Sequence, residues 1–262
     1  MPTRQNENIL KYKAFICDMD GVIYHGNKLL PGVDKFVAWL QKEKKKFIFL
    51  TNNSQKTPRE LKEKLKRLGL DVDEKHFYTS ALATAAFLQQ QCPEGSAFVI
   101  GEAGITNALY NVGYSTNETD PDYVVFSESS THSYEKIHKA VNLVLHGAKL
   151  IGTNPDLTGP GDNCTIPSTG ALIAPIELAT NRKAYFIGKP NPLMMRHALK
   201  RLNAKREETL IIGDRMDTDI IAGIESEITT VLVLSGVTTR EELKNFAYRP
   251  NYILNGVIDL VS

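Results

Sequence analysis

The sequence predicts an α/β protein, a mostly parallel sheet with helices on both faces. Two features carry that expectation. Short runs rich in apolar and β-branched residues alternate with amphipathic stretches, and the runs are apolar at consecutive positions, as strands covered on both sides must be. In chain order the strand-like runs are residues 14–17, 47–51, 97–101, 123–126, 149–153, 184–188, 210–214 and 230–234. Between them, residues 33–44, 59–68, 133–146, 192–202 and 218–225 carry helical patterns. Pro31 precedes the first helix, Thr57 and Pro58 offer the second a cap and a first-turn proline, and Gly69 follows it as a stop. Lys42 and Lys44 to Lys46 sit at a helix end, where the dipole favours cations, and read as a solvated last turn.

A chain of 262 residues suits one large domain or two modest ones, and its ordinary composition excludes disordered and fibrous classes. Lys plus Arg is 31 and Asp plus Glu is 30, so no global field recruits nucleic acid or an anionic membrane. An anionic ligand must be held locally. Met1 to Lys13 is polar, without the apolar core of a signal peptide, and no apolar run approaches a membrane span, so the expected location is the cytoplasm. Cys17, Cys92 and Cys164 are too scattered for a disulfide framework or a zinc site, and the six histidines lack ligand spacing.

The chemistry is expected at strand ends. Asp18 and Asp20 follow the apolar Phe15-Ile16-Cys17, where strand alternation would aim both the same way to share a cation; as Asp-Met-Asp-Gly they also suit a plain turn. Three more runs finish in polar groups: Thr51-Asn52-Asn53-Ser54, Gly188-Lys189-Pro190, and Gly213-Asp214 through Asp219. In a parallel sheet these ends share one edge. Asp18, Asp20 and Asp214 make an oxygen-rich nest suited to Mg²⁺, while Thr51, Asn52 and Lys189 supply donors for a phosphoryl group. Asp18 is the expected nucleophile, forming an aspartyl phosphate, and Asp20 the acid and base.

Asp18-Met19-Asp20-Gly21-Val22, Thr51-Asn52-Asn53, Gly188-Lys189-Pro190 and Gly213-Asp214 through Asp219, in that order, resemble the four motifs of the haloacid dehalogenase superfamily. Ile151 to Asp156 and Ile166 to Ala171 resemble its NagD-type, p-nitrophenylphosphatase-like branch. The resemblance implies a Rossmann-like doubly wound core with an inserted α/β cap, and a Mg²⁺-dependent phosphatase of small esters of the nucleotide or sugar phosphate class. It implies Mg²⁺ on Asp18, Asp214 and the main-chain carbonyl of Asp20, Asp219 in the outer shell, Thr51 and Lys189 on the phosphoryl group, and Asn53 assisting. Where some members carry an arginine after the Asn-Asn pair, this chain has Ser54-Gln55.

The 137 residues between Thr51 and Lys189 exceed one crossover, so an insertion is expected: a core at 1–81 and 183–262 with a cap at 82–182. Candidate leaving-group contacts are Asn154, Asp156, Leu157 and the Ser168 to Ala171 turn, although Asn154-Pro155-Asp156 also suits an ordinary turn. Gly101-Glu102-Ala103-Gly104 lacks the glycine spacing of a dinucleotide site and reads as a βα turn. A dehalogenase would need neither Asp20 nor Asp214, and a phospho-accepting receiver would be about half this length. The expected partner is a small phosphate ester, with no nucleic acid or membrane, in a monomer or homodimer.

Overall fold

The computed structural model describes residues 8–161 and 164–261. Most of the polar N-terminal stretch weighed above, residues 1–7, lies outside the described residues. The chain forms two compact units, one of Met1–Thr51, Lys62–Tyr78 and Lys189–Ser262, the other of Asn52–Leu61 and Thr79–Gly188. The second therefore starts and ends a few residues outside 82–182 and takes in the segment after Thr51.

The first unit carries a six-stranded sheet in the order Tyr252–Leu254, Thr229–Val233, Thr209–Gly213, Ala14–Cys17, Lys46–Thr51, Phe77–Thr79. Ala14–Cys17 pairs in parallel with Thr209–Gly213 on one side and Lys46–Thr51 on the other. The chain thus winds outward from Ala14–Cys17 in one direction and returns on its other flank, which makes the end of that strand the switch point where the connections diverge. All four of its residues are buried. Helix Val33–Lys42 covers the sheet with Val33, Phe36, Val37 and Leu40, spaced three and four apart. Phe36 stacks on Trp39 at 6.1 Å, and Trp39 meets Phe15 edge-on at 5.5 Å.

The second unit has its own parallel sheet, ordered Tyr185–Phe186, Lys149–Gly152, Tyr123–Phe126, Ser96–Ile100, Ser115–Thr116. Phe98, Ile100, Val124 and Phe126 pack there with Ala140, Leu143, Val144, Ile173 and Ile176 into a separate core.

Some elements escape the sequence pattern. Helix Ser80–Gln91 buries Ser80, Ala81, Ala83, Thr84, Ala85 and Leu88, a face too small and polar to register as an apolar stripe. Helix Ala103–Asn111 and the hairpin of Thr158–Gly161 with Cys164–Pro167 were likewise unmarked. The lysine run also departs from a fully solvated turn: Lys45 donates to the carbonyls of Leu10 at 2.8 Å and Tyr12 at 2.9 Å. Desolvation there lowers its pKa.

Helix Pro58–Arg67 opens with a reciprocal cap. The Thr57 N–H and hydroxyl donate to Glu60 Oε2 at 2.7 and 2.8 Å, while the Glu60 N–H donates to Thr57 Oγ1 at 3.2 Å. Thr57→Ala is expected to destabilise the protein by about 1 kcal/mol, read as a lower urea midpoint at unchanged slope. An unchanged midpoint would mean the cap contributes nothing.

Candidate active site

At the switch point Asp18 leaves its strand with its N–H donating to the Ile212 carbonyl at 2.8 Å, so the neighbouring strand fixes where the carboxylate begins. Asp214 follows the neighbouring strand Thr209–Gly213. Asp219 arrives on a single π-helical turn, Met216–Ile220, whose extra residue per turn folds it back until its Oδ2 accepts from the Arg215 N–H at 3.2 Å. One carboxylate oxygen from each of Asp18, Asp214 and Asp219 then lies within 4.8 Å of the others. They are 8, 2 and 0 % exposed. Lys189, 2 % exposed, donates to Asp18 Oδ1 and Asp219 Oδ1, both at 2.7 Å, and to the Leu50 carbonyl at 3.3 Å.

Glycines make room for this cluster. A Cβ on Gly236 would stand 2.0 Å from Asp214 Oδ2, one on Gly21 2.4 Å from the same oxygen, and one on Gly213 2.1 Å from Asp219 Cβ. Gly21 also sits at φ +75, where side chains are strained. Asp214 Oδ2 accepts from the Val237 N–H at 2.7 Å, but its Oδ1 is buried with no hydrogen-bond partner.

Three carboxylates around one ammonium leave two negative charges buried without a counter-charge when all are ionised. Burial alone works to lower Lys189, and Asp18 and Asp219 overcome it and hold the ammonium above its usual range. Burial pushes Asp18 well up, against the pull of Lys189 and with added repulsion from Asp219 and Asp214. Asp214 is pushed up to about 7, first by burial and then by Asp219. An unpartnered buried oxygen among hard carboxylate donors with surplus negative charge fits a hard divalent cation such as Mg²⁺.

Asp20 does not join the three. The chain turns immediately after Asp18, with the Met19 carbonyl accepting from the N–H groups of Ile23 at 2.8 Å and Tyr24 at 3.2 Å, so strand alternation no longer governs the direction of residue 20. Asp20 lies 3.5 Å from His25 Nδ1 instead. Burial raises its pKa, opposed by His25 and Lys64. The cluster expected from Asp18, Asp20 and Asp214 is therefore built from Asp18, Asp214 and Asp219. Thr51 closes its strand and is buried. The loop Ser235 to Thr238, which holds Asp214 through Val237 and receives Met216 N–H on Thr238 Oγ1 at 3.2 Å, was not singled out from sequence. Its signal was a fifth strand end followed by Ser-Gly.

In the second unit Asn52 Nδ2 donates to Asp156 Oδ2 at 2.6 Å and Asn154 Nδ2 to the same oxygen at 2.7 Å. Asn53 Oδ1 accepts from the Lys56 N–H at 3.0 Å, within its own loop. Leu157 is exposed. Ser168 donates to Glu128 Oε2 at 3.0 Å, bringing in an acidic residue that sequence reasoning missed.

Residues 15–115 match the haloacid dehalogenase-like hydrolase family model, and residues 186–260 a HAD-hydrolase-like model. The chain is 45 % identical to the dihydroxyacetone phosphatase of Corynebacterium glutamicum over 94 % of its own length and 90 % of that protein. It is 39 % identical to the ribonucleotide monophosphatase NagD of Escherichia coli over 95 % and 98 %. The solved structure of E. coli NagD superposes with a TM-score of 0.89 over 94 % of this chain and 97 % of that one. A 4-nitrophenylphosphatase from Thermotoga maritima reaches 0.92 at 32 % identity over 96 % and 97 %.

The raised Asp214 pKa fixes a sign. The folded protein keeps a proton that the unfolded chain releases near 3.8, so this contribution to stability is complete below that value and is lost as pH rises through about 7. In chelator, the melting temperature is expected to fall between about pH 5.5 and about pH 8, and Mg²⁺ should raise it more at the higher pH. A chelated protein that grows steadily more stable over that window would refute the charge assignment.

Proposed function

The chain belongs to the haloacid dehalogenase-like hydrolases, in their NagD-type branch, and we propose from that membership how its own side chains divide the work. It is a phosphoric monoester hydrolase of small phosphate esters. The observation that carries the assignment of roles is Lys189 bridging Asp18 and Asp219 beside the unpartnered Asp214 oxygen.

Asp18 is the nucleophile. Its carboxylate attacks phosphorus, the bond to the leaving oxygen breaks, and the phosphoryl group passes to Asp18. Lys189 and Thr51 hold the phosphoryl oxygens, with Asn53 assisting, and Lys189 keeps the Asp18 carboxylate oriented through its 2.7 Å bond. Asp20 protonates the leaving oxygen and then takes a proton from the water that hydrolyses the acyl phosphate; a partly buried carboxyl with a raised pKa suits both steps. Asp18, Asp214 and the Asp20 carbonyl would hold Mg²⁺, with Asp219 outside them on Lys189. Bound there, Mg²⁺ supplies the positive charge that lets an anionic nucleophile meet an anionic ester.

The second unit serves as the cap, and its Asn154 and the Ser168 to Ala171 turn discriminate among leaving groups. The relatives named for dihydroxyacetone, ribonucleotide and sugar esters support a substrate among small hydroxyl-bearing monoesters.

Phosphate release over a panel of dihydroxyacetone phosphate, sugar phosphates and nucleoside monophosphates identifies the ester. Turnover of p-nitrophenyl phosphate should need Mg²⁺ and vanish in Asp18→Asn. Lys189→Ala should lower kcat by about two to three orders of magnitude, the usual size for one preorganised donor to developing charge. Near-normal activity in Asp18→Asn would rule out the covalent route. A Lys189→Ala effect confined to KM would mean that Lys189 binds ground and transition states alike.

Asn154→Ala should behave differently. It should lower kcat/KM on a hydroxyl-bearing ester while sparing p-nitrophenyl phosphate, because an activated leaving group needs little from the cap. Equal losses on both would move Asn154 into the machinery of phosphoryl transfer.

A further inference from the structure

Asn52 directly follows Thr51, and its amide is an obvious candidate to touch the phosphoryl group. The structure commits it elsewhere. Its Nδ2 donates to Asp156 Oδ2 at 2.6 Å, and the same oxygen accepts Asn154 Nδ2 at 2.7 Å, so one carboxylate oxygen joins two amides from distant parts of the sequence. Gly188 closes over the other side of the amide: a Cβ there would stand 2.6 Å from Asn52 Oδ1 and 2.7 Å from the Thr153 carbonyl.

The loop behind Asn52 is equally fixed. Ser54, fully buried, has its Oγ 2.7 Å from Ser127 Oγ and 3.0 Å from Thr153 Oγ1, and Thr153 Oγ1 donates to Asn154 Oδ1 at 3.0 Å. Ser80 Oγ donates to the Asn52 carbonyl at 2.7 Å. The segment after the phosphoryl-binding strand is thus knitted, by neutral hydrogen bonds and one carboxylate, to the ends of the strands Tyr123–Phe126 and Lys149–Gly152.

We propose that Asn52, Asp156 and Asn154 form a tether, in which Asn52 is a positioning residue that sets the loop next to Thr51 according to the loop carrying Asn154. This rests on the phosphatase reading above. Leaving-group recognition and phosphoryl transfer are then coupled: a displacement of the 154–156 loop is passed through the Asp156 oxygen to the segment covalently joined to Thr51. These hydrogen bonds are partly buried and charge-assisted, a class roughly twice as strong as neutral ones.

The pair can be reversed, which gives a decisive test. Asn52→Asp sets two carboxylates against each other and should lower both kcat on p-nitrophenyl phosphate and the melting temperature. Adding Asp156→Asn restores the pair with donor and acceptor exchanged. The new amide keeps one oxygen for Asn154 and offers an N–H to the carboxylate at position 52. Coupling in a contacting pair corresponds to about threefold to a hundredfold in rate, so the double variant should recover kcat by that factor, measured well below the melting transition.

A double variant no faster than Asn52→Asp would mean that residue 52 acts directly on the anionic phosphoryl group, and the tether would be wrong. Recovery of melting temperature with a kcat that never changed would make the contact purely structural and would also overturn the proposal. Wild-type turnover in the same assay tests the phosphatase reading separately. If the wild type released no phosphate from any ester, that reading would fall, the positioning role would fall with it, and recovery of the melting temperature would show only whether the Asn52 to Asp156 bond exists.

Discussion

The first unit is arranged around one electrostatic problem, three carboxylates buried against a single ammonium. Removing an ion from water costs several kcal/mol even after relaxation, and Lys189 can offset only part of that for Asp18 and Asp219. Asp214 is left with a buried oxygen unbonded. A protein that wanted only stability would place apolar residues here, as similar volumes of hydrophobic side chain serve a core at least as well as an ion pair. In the proposed active site such a cluster has a use, because moving a phosphoryl dianion needs charge of both signs held rigidly.

Local features follow from that problem. Gly21, Gly213 and Gly236 approach the carboxylates so closely that any Cβ would overlap them, which is why three separate strand-end turns carry glycine. Asp219 lies on the π-helical turn Met216–Ile220, where the Arg215 carbonyl accepts from the N–H groups of both Asp219 and Ile220. The position of Asp18 depends on its parallel neighbour through the Ile212 carbonyl. Sheet register and the placement of Asp18 are therefore one property, and a slip of the central strand would move its carboxylate away from Asp214 and Lys189.

Much of this was legible in the sequence because buried parallel strands are written as unbroken apolar runs, and because carboxylates at their ends have few structural uses. Residues 14–17, 123–126 and 192–202 match the observed elements to the residue. The helix Ser80–Gln91 was not legible, since its buried face of alanine, serine and threonine carries no apolar periodicity. Asp20 shows the limit of alternation rules: they hold inside a strand, and Asp20 lies three residues past Cys17, where a turn closed on the Met19 carbonyl has taken over. The Asn52 bond to Asp156 spans 104 residues and leaves no local pattern at all. Only folded contacts reveal it.

The two units differ in the kind of polarity they bury. The first concentrates ions, whose fields are strong, long-ranged and indifferent to the shape of whatever the phosphoryl group is attached to. The second concentrates hydroxyls and amides, Ser54, Ser127, Thr153, Asn154 and Thr169, whose hydrogen bonds are short and directional. Directional neutral groups discriminate sharply, because a ligand that misplaces one hydrogen bond leaves a buried partner unsatisfied.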